Sequence, residues 1–231
     1  NRGGWAKLEF SKTEHLTSEG YFTYLKEFKG GHSLNAVAGY SYFEKNGENF
    51  NAENYDLGVE GLKYWDLESG SYLTDGKAKM GSKKDITERL FALYARANYS
   101  YNDKYMVTAT IRHEGSSKFA AENRWGNFWA LSGGWRVSGE EFMKEFDWVN
   151  DLKIRFGYGV TGNNDFDASY MANTLSRDQY WMLPSGSWAF VYGPSSNVNP
   201  YLGWEEKKEW NIGVDYSFFG NRMYGKFDYY R

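Results

Sequence analysis

The sequence has 231 residues, a formal net charge of −3 and no cysteine. The lack of cysteine excludes a disulfide-stapled domain and a cysteine-ligated metal site, and the near-neutral charge without a dominant basic cluster predicts no nucleic-acid partner. Aromatic residues make up 20% of the chain and proline occurs three times, which suits long paired strands because proline cannot donate to a β-ladder. No run of about 18 apolar residues occurs, so no transmembrane helix is predicted.

The first 86 residues predict three strands followed by a long loop. Residues 5–12, 21–28 and 33–43 alternate apolar with polar side chains, which is the period of a strand with two different surroundings. Residues 29–32 read Lys-Gly-Gly-His and predict a tight turn, because glycine supplies the positive φ that such turns need. Residues 44–86 are polar and lack a sustained period, so we expect a long loop there.

The strongest period-two pattern lies between residues 90 and 161 and predicts four consecutive strands. In the first, residues 91–101, the odd positions are apolar or aromatic and the even positions are polar apart from Ala92. The same pattern returns in three further segments, residues 105–112, 125–137 and 152–161. We therefore expect one face of each strand to meet an apolar environment and the other a polar one.

The last part of the chain predicts a second long loop, at residues 162–203, and two strands, at 210–218 and 223–231. Short and long connections alternate along the whole chain. This alternation indicates an up-and-down barrel with brief turns at one end and large loops at the other. A soluble β-sandwich or a surface carbohydrate-binding β-domain fits the composition, but a Greek-key sandwich would not alternate so regularly.

The predicted fold class is therefore all-β, an antiparallel up-and-down transmembrane β-barrel, with residues 1–231 as part of one barrel domain. Its extracellular loops are expected at about 44–86 and 162–203. We count about nine strands, whereas a bacterial single-chain barrel has an even number and cannot expose an open edge to lipid. The sequence is therefore expected to form a partial barrel.

Three blocks of sequence carry a family resemblance. They are LYARANYSYNDKYMVTATIRHEGSSKFAAENRWGNFWALSGGWRVSGEEFM, LKIRFGYGVTGNND and NPYLGWEEKKEWNIGVDYSFFGNRMYGKFDYY. In order and spacing they resemble the SusC/RagA-type TonB-dependent transporters of Bacteroidota. Glu114 stands where that family usually has aspartate, and Asn127-Phe128-Trp129 replaces a segment that usually contains proline. The resemblance covers roughly residues 90–231 and identifies the chain as the C-terminal part of such a barrel.

The resemblance implies a 22-stranded outer-membrane barrel filled by an N-terminal plug, which has no counterpart in these 231 residues. It also implies import of a nutrient such as a glycan, an oligosaccharide or a peptide. The implied partners are a SusD-like surface lipoprotein, outer-membrane lipid, and TonB–ExbB–ExbD acting through the missing plug and TonB box. Three alternatives stay open: a siderophore- or cobalamin-type receptor, a soluble or surface carbohydrate-binding β-protein without transport, and a surface-structural role in a larger machine.

The sequence predicts neither an enzyme nor a cofactor or metal site. The three histidines are far apart, and no HExxH or GxSxG motif occurs. Gly157, Gly159 and Gly162 match the GxGxxG pattern of dinucleotide-binding loops, but a polar loop follows where that site needs a helix. We expect these glycines to leave space for the plug or the solute instead.

Two sets of residues are candidates for contacts with other molecules. Arginines recur on the polar faces of successive strands and are expected to face the lumen, where they meet plug carboxylates or acidic neighbours such as Asp215: Arg96, Arg112, Arg136 and Arg155. Large aromatic residues in the two long loops are candidates for ligand binding, because aromatic faces stack on sugar rings and anchor protein interfaces: Tyr64, Trp65, Trp181 and Trp188.

Overall fold

A computed structural model describes residues 4–58, 61, 63–166, 175–194, 199 and 201–231. Within these ranges the strands are β1 (Trp5–Phe28), β2 (His32–Tyr55), β3 (Lys79–Lys84), β4 (Glu88–Tyr101), β5 (Tyr105–Ser116), β6 (Trp125–Arg136), β7 (Val149–Asn163), β8 (Leu175–Met182), β9 (Trp188–Pro194), β10 (Glu205–Phe218) and β11 (Met223–Tyr230). The helical elements are α1 (Ser71–Thr74) and the 3₁₀ turns Lys63–Trp65, Leu67–Ser69, Val137–Gly139 and Glu141–Met143. None of these described helices is long and apolar enough to cross a membrane.

The main sheet is a meander in which the order of strands follows the chain. Its order is β1-β2-β4-β5-β6-β7-β10-β11, with β3 added beside β2, while β8 and β9 form a separate two-stranded sheet. The defined registers, from β4 to β7 and from β7 through β10 to β11, are all antiparallel. This confirms the predicted up-and-down arrangement, present as an open partial barrel whose order ends at β1 and β11 in the described part of the chain.

The short connections lie together at one end of the sheet. Asn102 and Asp103 both have positive φ, at 48° and 53°, as in a type I′ turn, and Lys104 N–H donates to Tyr101 O at 3.0 Å to close it. Backbone hydrogen bonds tie these turns to one another and to the longer connection after β6, residues 137–148: Asn102 N–H to Gly31 O at 2.7 Å, Arg136 N–H to Lys104 O at 2.7 Å and Phe219 N–H to Trp148 O at 2.8 Å. We call this the short-turn end, and the opposite end the loop end.

Three predicted boundaries are wrong near the start of the chain. Residues 5–12 and 21–28 belong to one strand, β1, and residues 44–55 extend β2 rather than begin a loop. A further strand, β3, lies inside the expected loop and pairs with β2. Within the described residues the main sheet nevertheless has nine strands, eight along the meander and β3 beside β2, so the expected number is confirmed although the first strands are bounded differently. The open order of the strands agrees with the expected partial barrel.

The chain divides into two compact units. The first comprises Asn1–Leu16 and Phe43–Glu88. Its described part holds the first half of β1, the second half of β2, and β3. Asn54 is only 2% exposed there, and its amide donates to the carbonyl oxygens of Leu67 at 2.7 Å and Gly70 at 2.8 Å. This one side chain therefore anchors the segment that follows β2.

The second unit comprises Thr17–Tyr42 and Arg89–Arg231, and its sheet has one apolar and one polar face. Side chains that oppose one another on neighbouring strands form rows across each face. Two apolar rows are Ala97–Ala109–Leu131–Tyr158–Trp210 and Tyr99–Val107–Gly133–Phe156–Ile212. Two polar rows are Asn98–Thr108–Ser132–Gly157–Asn211 and Ser100–Met106–Gly134–Arg155–Gly213. The two-face pattern predicted for residues 91–161 is confirmed.

Aromatic residues bound the apolar face at both ends. At the loop end Phe91 and Trp125 meet edge to face, with ring centres 6.3 Å apart. At the short-turn end, Tyr101, Tyr105 and Trp135 oppose one another in one row. The two aromatic levels are ten residues apart on both β4 and β6, which is about 33 Å along a strand. At the usual strand tilt this gives a band about 25 Å tall, the height of the apolar band of outer-membrane barrels.

Candidate functional site

Arg155 is held by two carboxylates on the polar face. Its guanidinium donates to Asp215 at 2.9 and 2.8 Å and to Asp228 at 2.8 Å, joining β7, β10 and β11. Gly213 lies beneath the guanidinium, and a Cβ at that position would lie 2.6 Å from Nη2 of Arg155. The expected pairing of one of the four arginines with Asp215 is confirmed. Arg155 therefore links three strands, with its Nε and Nη2 both engaged by carboxylates.

Arg112 is engaged in the same way by a residue of its own strand. Nε and Nη2 donate to the two carboxylate oxygens of Glu114, both at 2.8 Å. Nη2 also lies 3.3 Å from the hydroxyl of Ser41 on β2. Glu114, which stands where the resembling family has aspartate, therefore still pairs with the arginine two residues before it.

Arg136 and Arg96 differ in their partners. Nε of Arg136 lies 3.3 Å from Asp151 Oδ1, but it is buried without an aligned hydrogen bond. The same oxygen accepts a hydrogen bond from the Ser138 hydroxyl at 2.8 Å. Arg96 is exposed on the polar face of β4, and we find no ion pair for it among the described residues. Of the four predicted arginines, Arg96 is thus the one best placed to meet another molecule.

A polar concavity lies between the charged rows of this face. Its volume is about 510 Å³, and amides and hydroxyls from β2, β4, β5, β6 and β10 line it together with Lys153 and Arg155. Asn98 and Thr108 hydrogen-bond across the β4–β5 pair at 2.9 Å. A lining of this kind can accept and donate hydrogen bonds to a polar partner without requiring a charge.

The glycines of the GxGxxG match do not leave open space. All three belong to β7, so there is no phosphate-binding loop. The position of a Cβ on Gly157 is taken by the side chain of Asn211, and that on Gly162 by the ring of Phe128. The expectation that these two glycines leave space for a plug or solute was wrong, because side chains of the same chain fill that space.

The predicted ligand-binding aromatics lie in both units. In the first unit, Tyr64 and Trp65 are neighbours in one 3₁₀ turn, with ring centres 4.7 Å apart and exposures of 42% and 77%. In the second unit, Trp181 opposes Ala189 in the β8–β9 hairpin, and Trp188 opposes Met182. Trp181 and Trp188 therefore point to opposite faces of the hairpin, so they cannot share one stacked ligand.

One face of the β8–β9 hairpin is built of large apolar side chains. Tyr180 and Phe190 oppose each other with ring centres 4.4 Å apart. Every large side chain on this face is at least half exposed: Tyr180, Met182, Trp188, Phe190 and Tyr192. Residues 179–194 carry no charge. This surface resembles the aromatic centre of a binding interface more than a solvated loop.

Sequence reasoning missed a cluster at the loop end, which we call the rim cluster: Ser116, Lys118, Phe119, Phe128, Phe166 and Trp204. The ring of Phe119 packs against Phe166 at 5.0 Å and against Trp204 at 5.1 Å, while Phe128 meets Trp204 edge to face at 5.1 Å. Members come from the first and the third of the sequence blocks that carry the family resemblance, and Phe166 directly follows the second block. The family motifs point to these parts of the sequence, but the spacing of the motifs along the chain does not reveal that their side chains pack together.

A second cluster lies at the short-turn end, around Glu140. Its carboxylate accepts from the Tyr105 hydroxyl at 2.6 Å, the Trp135 indole at 3.1 Å and Lys104 at 3.2 Å. Hydrogen bonds from Tyr105 and then Trp135 hold the pKa of Glu140 below its usual value, because they stabilise the charged form. Glu140 therefore fixes two aromatic side chains at the border of the apolar face.

The fold and its two faces define a segment of a β-barrel wall, and comparison with known proteins identifies its family. Residues 3–231 match the family model described as TonB dependent receptor-like, beta-barrel. The chain therefore belongs to this family of TonB-dependent receptor β-barrels.

Relatives and solved structures agree with this family. TonB-dependent receptor P39 of Formosa agariphila is 34% identical over 92% of the chain, and TonB-dependent receptor SusC of Bacteroides thetaiotaomicron is 33% identical over 68%. The chain spans 20% and 16% of their respective lengths. The structure of the RagAB peptide transporter matches 98% of the chain and 24% of its counterpart, with a TM-score of 0.77 at 23% identity. The predicted SusC/RagA-type barrel is confirmed.

Proposed function

We propose that this chain forms part of the wall of an outer-membrane importer that is driven by TonB and takes up a glycan, an oligosaccharide or a peptide. A SusD-like surface lipoprotein is its proposed partner at the cell surface, and TonB–ExbB–ExbD act through parts of the protein outside these residues. The chain has no catalytic role in this proposal. The observation that carries it is the apolar band between two aromatic levels on a meander whose opposite face is polar.

The two faces support membrane insertion in a definite orientation. Lipid offers no hydrogen bonds, so a spanning strand needs a paired backbone and an apolar outer side. The neighbouring strands pair the backbone, and the apolar rows provide the apolar outer side. Short turns face the periplasm in such barrels and long loops face outward, which assigns the short-turn end to the periplasm and the loop end to the cell surface.

The polar face supports contact with the plug and with the passing solute. Three of its four predicted arginines are engaged by carboxylates near them, so they shape the wall rather than bind. Arg96, and the concavity lined by amides and hydroxyls together with Lys153 and Arg155, have free capacity to meet another surface. We propose that they form the inner contact region. Arg96 would bind carboxylates of the plug or solute, and the concavity would bind amides or hydroxyls.

The loop aromatics support recognition outside the membrane. Trp181 and Trp188 occupy opposite faces of the β8–β9 hairpin, so one face can contact the solute while the other contacts the lipoprotein. Trp188 belongs to the continuous aromatic face, which suits a protein partner. Trp181 stands beside Ala189 and is more isolated, as expected of a stacking platform for one sugar ring or side chain. Tyr64 and Trp65 form a second, separate candidate contact.

The test uses the full-length protein in its native host. We expect it in the outer-membrane fraction, released by detergent together with an abundant surface lipoprotein. Recovery in the aqueous fraction without detergent would contradict the proposal, and binding of metal chelates without a co-purifying lipoprotein would favour a siderophore-type receptor instead.

The two tryptophans can be separated in the same cells. We expect W181A to reduce uptake from a panel of labelled neutral oligosaccharides and peptides while the lipoprotein still co-purifies. W188A is expected to reduce the co-purified lipoprotein. The exposed Phe142→Ala substitution at the short-turn end serves as the control and should change neither quantity. Unchanged uptake and unchanged co-purification in both tryptophan variants would remove the hairpin from the proposed recognition surface.

A further inference from the structure

We propose that the rim cluster positions the connection between β7 and β10, so that the β8–β9 hairpin leaves the wall in a fixed direction. Its members are positioning residues for the binding loop, and the proposal rests on the role assigned above to that hairpin. It adds a function for residues to which the proposal above assigns no contact with solute or lipid.

Burial sets the rim cluster apart from the rest of the described sheet. A single-layer sheet has no second layer to cover its faces, and most of its large apolar side chains are half exposed. At the rim, by contrast, Phe119 and Ser116 are 2% and 1% exposed, and Phe128 is 7% exposed. Side chains this deeply buried cannot contact a solute, so their contribution must be to hold other parts in place.

The rim cluster contacts the connection directly after β7. Lys118 donates to the carbonyl oxygen of Phe166 at 3.1 Å, and its ammonium also lies 5.7 Å from the centre of the Phe166 ring. Asn164 donates to the hydroxyl of Ser116 at 3.3 Å. The first residues after β7 are therefore fixed to the β5–β6 connection by side-chain and main-chain contacts together.

The rim cluster also contacts the connection directly before β10. The indole N–H of Trp204 donates to the carbonyl oxygen of Arg124 at 3.0 Å, and its ring packs on Phe119 and Phe128. A Cβ on Gly126 would lie 3.1 Å from the Trp204 ring, so the small residue there makes room for it. The last residue before β10 is thus fixed to the same connection as the first residues after β7.

Phe119 joins the two ends, because its ring touches both Phe166 and Trp204. Those residues are 38 positions apart in sequence, and a loop of that length would otherwise sample many directions. A binding loop that is already directed loses less freedom when its partner arrives. Loss of the cluster should therefore weaken apparent affinity for a solute while leaving maximal uptake unchanged.

The experiment measures the direction of the hairpin without using a solute. Spin labels are placed at the hairpin tip and on the wall through S185C and K208C; the chain has no native cysteine to compete for label. Their distance distribution is recorded by pulsed electron resonance on the full-length protein in detergent. We expect one narrow peak in the otherwise unchanged protein, and loss of that peak in W204A and F119A.

Three further variants make the result decisive. W129A removes a tryptophan of equal size that packs on Tyr158 in the wall, and W204F keeps a ring at the rim; both should retain the narrow peak. K118M removes only the ammonium contacts and should broaden the peak, so it replaces the larger truncations if they fail to assemble. A narrow peak that persists in W204A and F119A, or in K118M if these fail, would overturn the proposal. Uptake and lipoprotein co-purification that both survive W181A and W188A would refute the hairpin's binding role but not its positioning.

Discussion

Arg155 on β7 and Asp215 on β10 form a two-point ion pair across the polar face, with both hydrogen bonds between 2.8 and 2.9 Å. Asp228 on β11 completes it from the next strand. Paired geometry of this kind orients two planar groups and is stronger than a single contact. The pair therefore fixes the register of three strands at a point where Gly213 leaves room for the guanidinium.

The role of Gly213 can be tested by adding one methyl group. G213A should displace the guanidinium and lower the free energy of unfolding by about 1 kcal/mol, the scale of a partly exposed ion pair. In an R155M background the same substitution should lower the free energy of unfolding by less, since the guanidinium is absent and only the Asp228 carboxylate, whose Oδ1 would lie 2.5 Å from the added Cβ, has to move. Denaturant unfolding of the detergent-folded protein measures both.

Gly133 provides the matched control for this experiment. A Cβ there would meet only the carbonyl oxygen of Met106, at 3.9 Å. G133A should therefore leave stability within about 0.5 kcal/mol of the parent. An equal loss in G133A and G213A would show that the cost comes from the strand backbone and not from the ion network.

Truncation of Phe119 should cost much more than truncation of an exposed phenylalanine. Phe119 is 2% exposed and Phe142 is 57% exposed. F119A should lower the free energy of unfolding by about 3 to 5 kcal/mol, whereas F142A should change it by less than about 0.5 kcal/mol. Heat-induced loss of the compact band on gel electrophoresis gives the order of stability, and a similar loss in both variants would contradict a packed rim cluster.

The carboxylate of Glu140 should make stability depend on acid. Because its hydrogen bonds lower its pKa from the usual 4.5, it stabilises the folded state above that pH and stops doing so as pH falls through the lower folded pKa. The melting temperature of the parent should therefore exceed that of E140Q at pH 7, and the difference should shrink below about pH 4.5. A difference that does not change with pH would show that the charge of Glu140 is not involved.

Periodicity predicted the wall well where one face of a strand is apolar and the other polar. From residue 91 to residue 161, every expected strand and both faces are present, because contrasting surroundings on the two sides leave an alternating pattern in the sequence. The turn at residues 102–104 was predicted equally well from the sequence, since Asn and Asp tolerate positive φ.

Periodicity failed where both sides of a strand are polar. The middle of β1 and the second half of β2 keep their backbone pairing, but hydrophilic contacts there do not alternate with apolar ones. Asn49, for example, donates to Glu9 at 2.7 Å and to Ser11 at 2.8 Å. The rim cluster was invisible for another reason, because Phe119 and Trp204 are 85 residues apart and only the register of four strands brings them together.

The central claim is that the apolar face of this sheet meets lipid and the polar face does not. Leu131 and Ser132 are adjacent on β6 and point to opposite faces in the middle of the band. A spin label at each site of the full-length protein in lipid vesicles can be probed by collision with oxygen, which dissolves in the bilayer, and with a nickel chelate, which stays in water. We expect L131C to be reached by oxygen but shielded from nickel, while S132C lacks this signature. Equal access of nickel to both labels, or the reverse pattern, would contradict it.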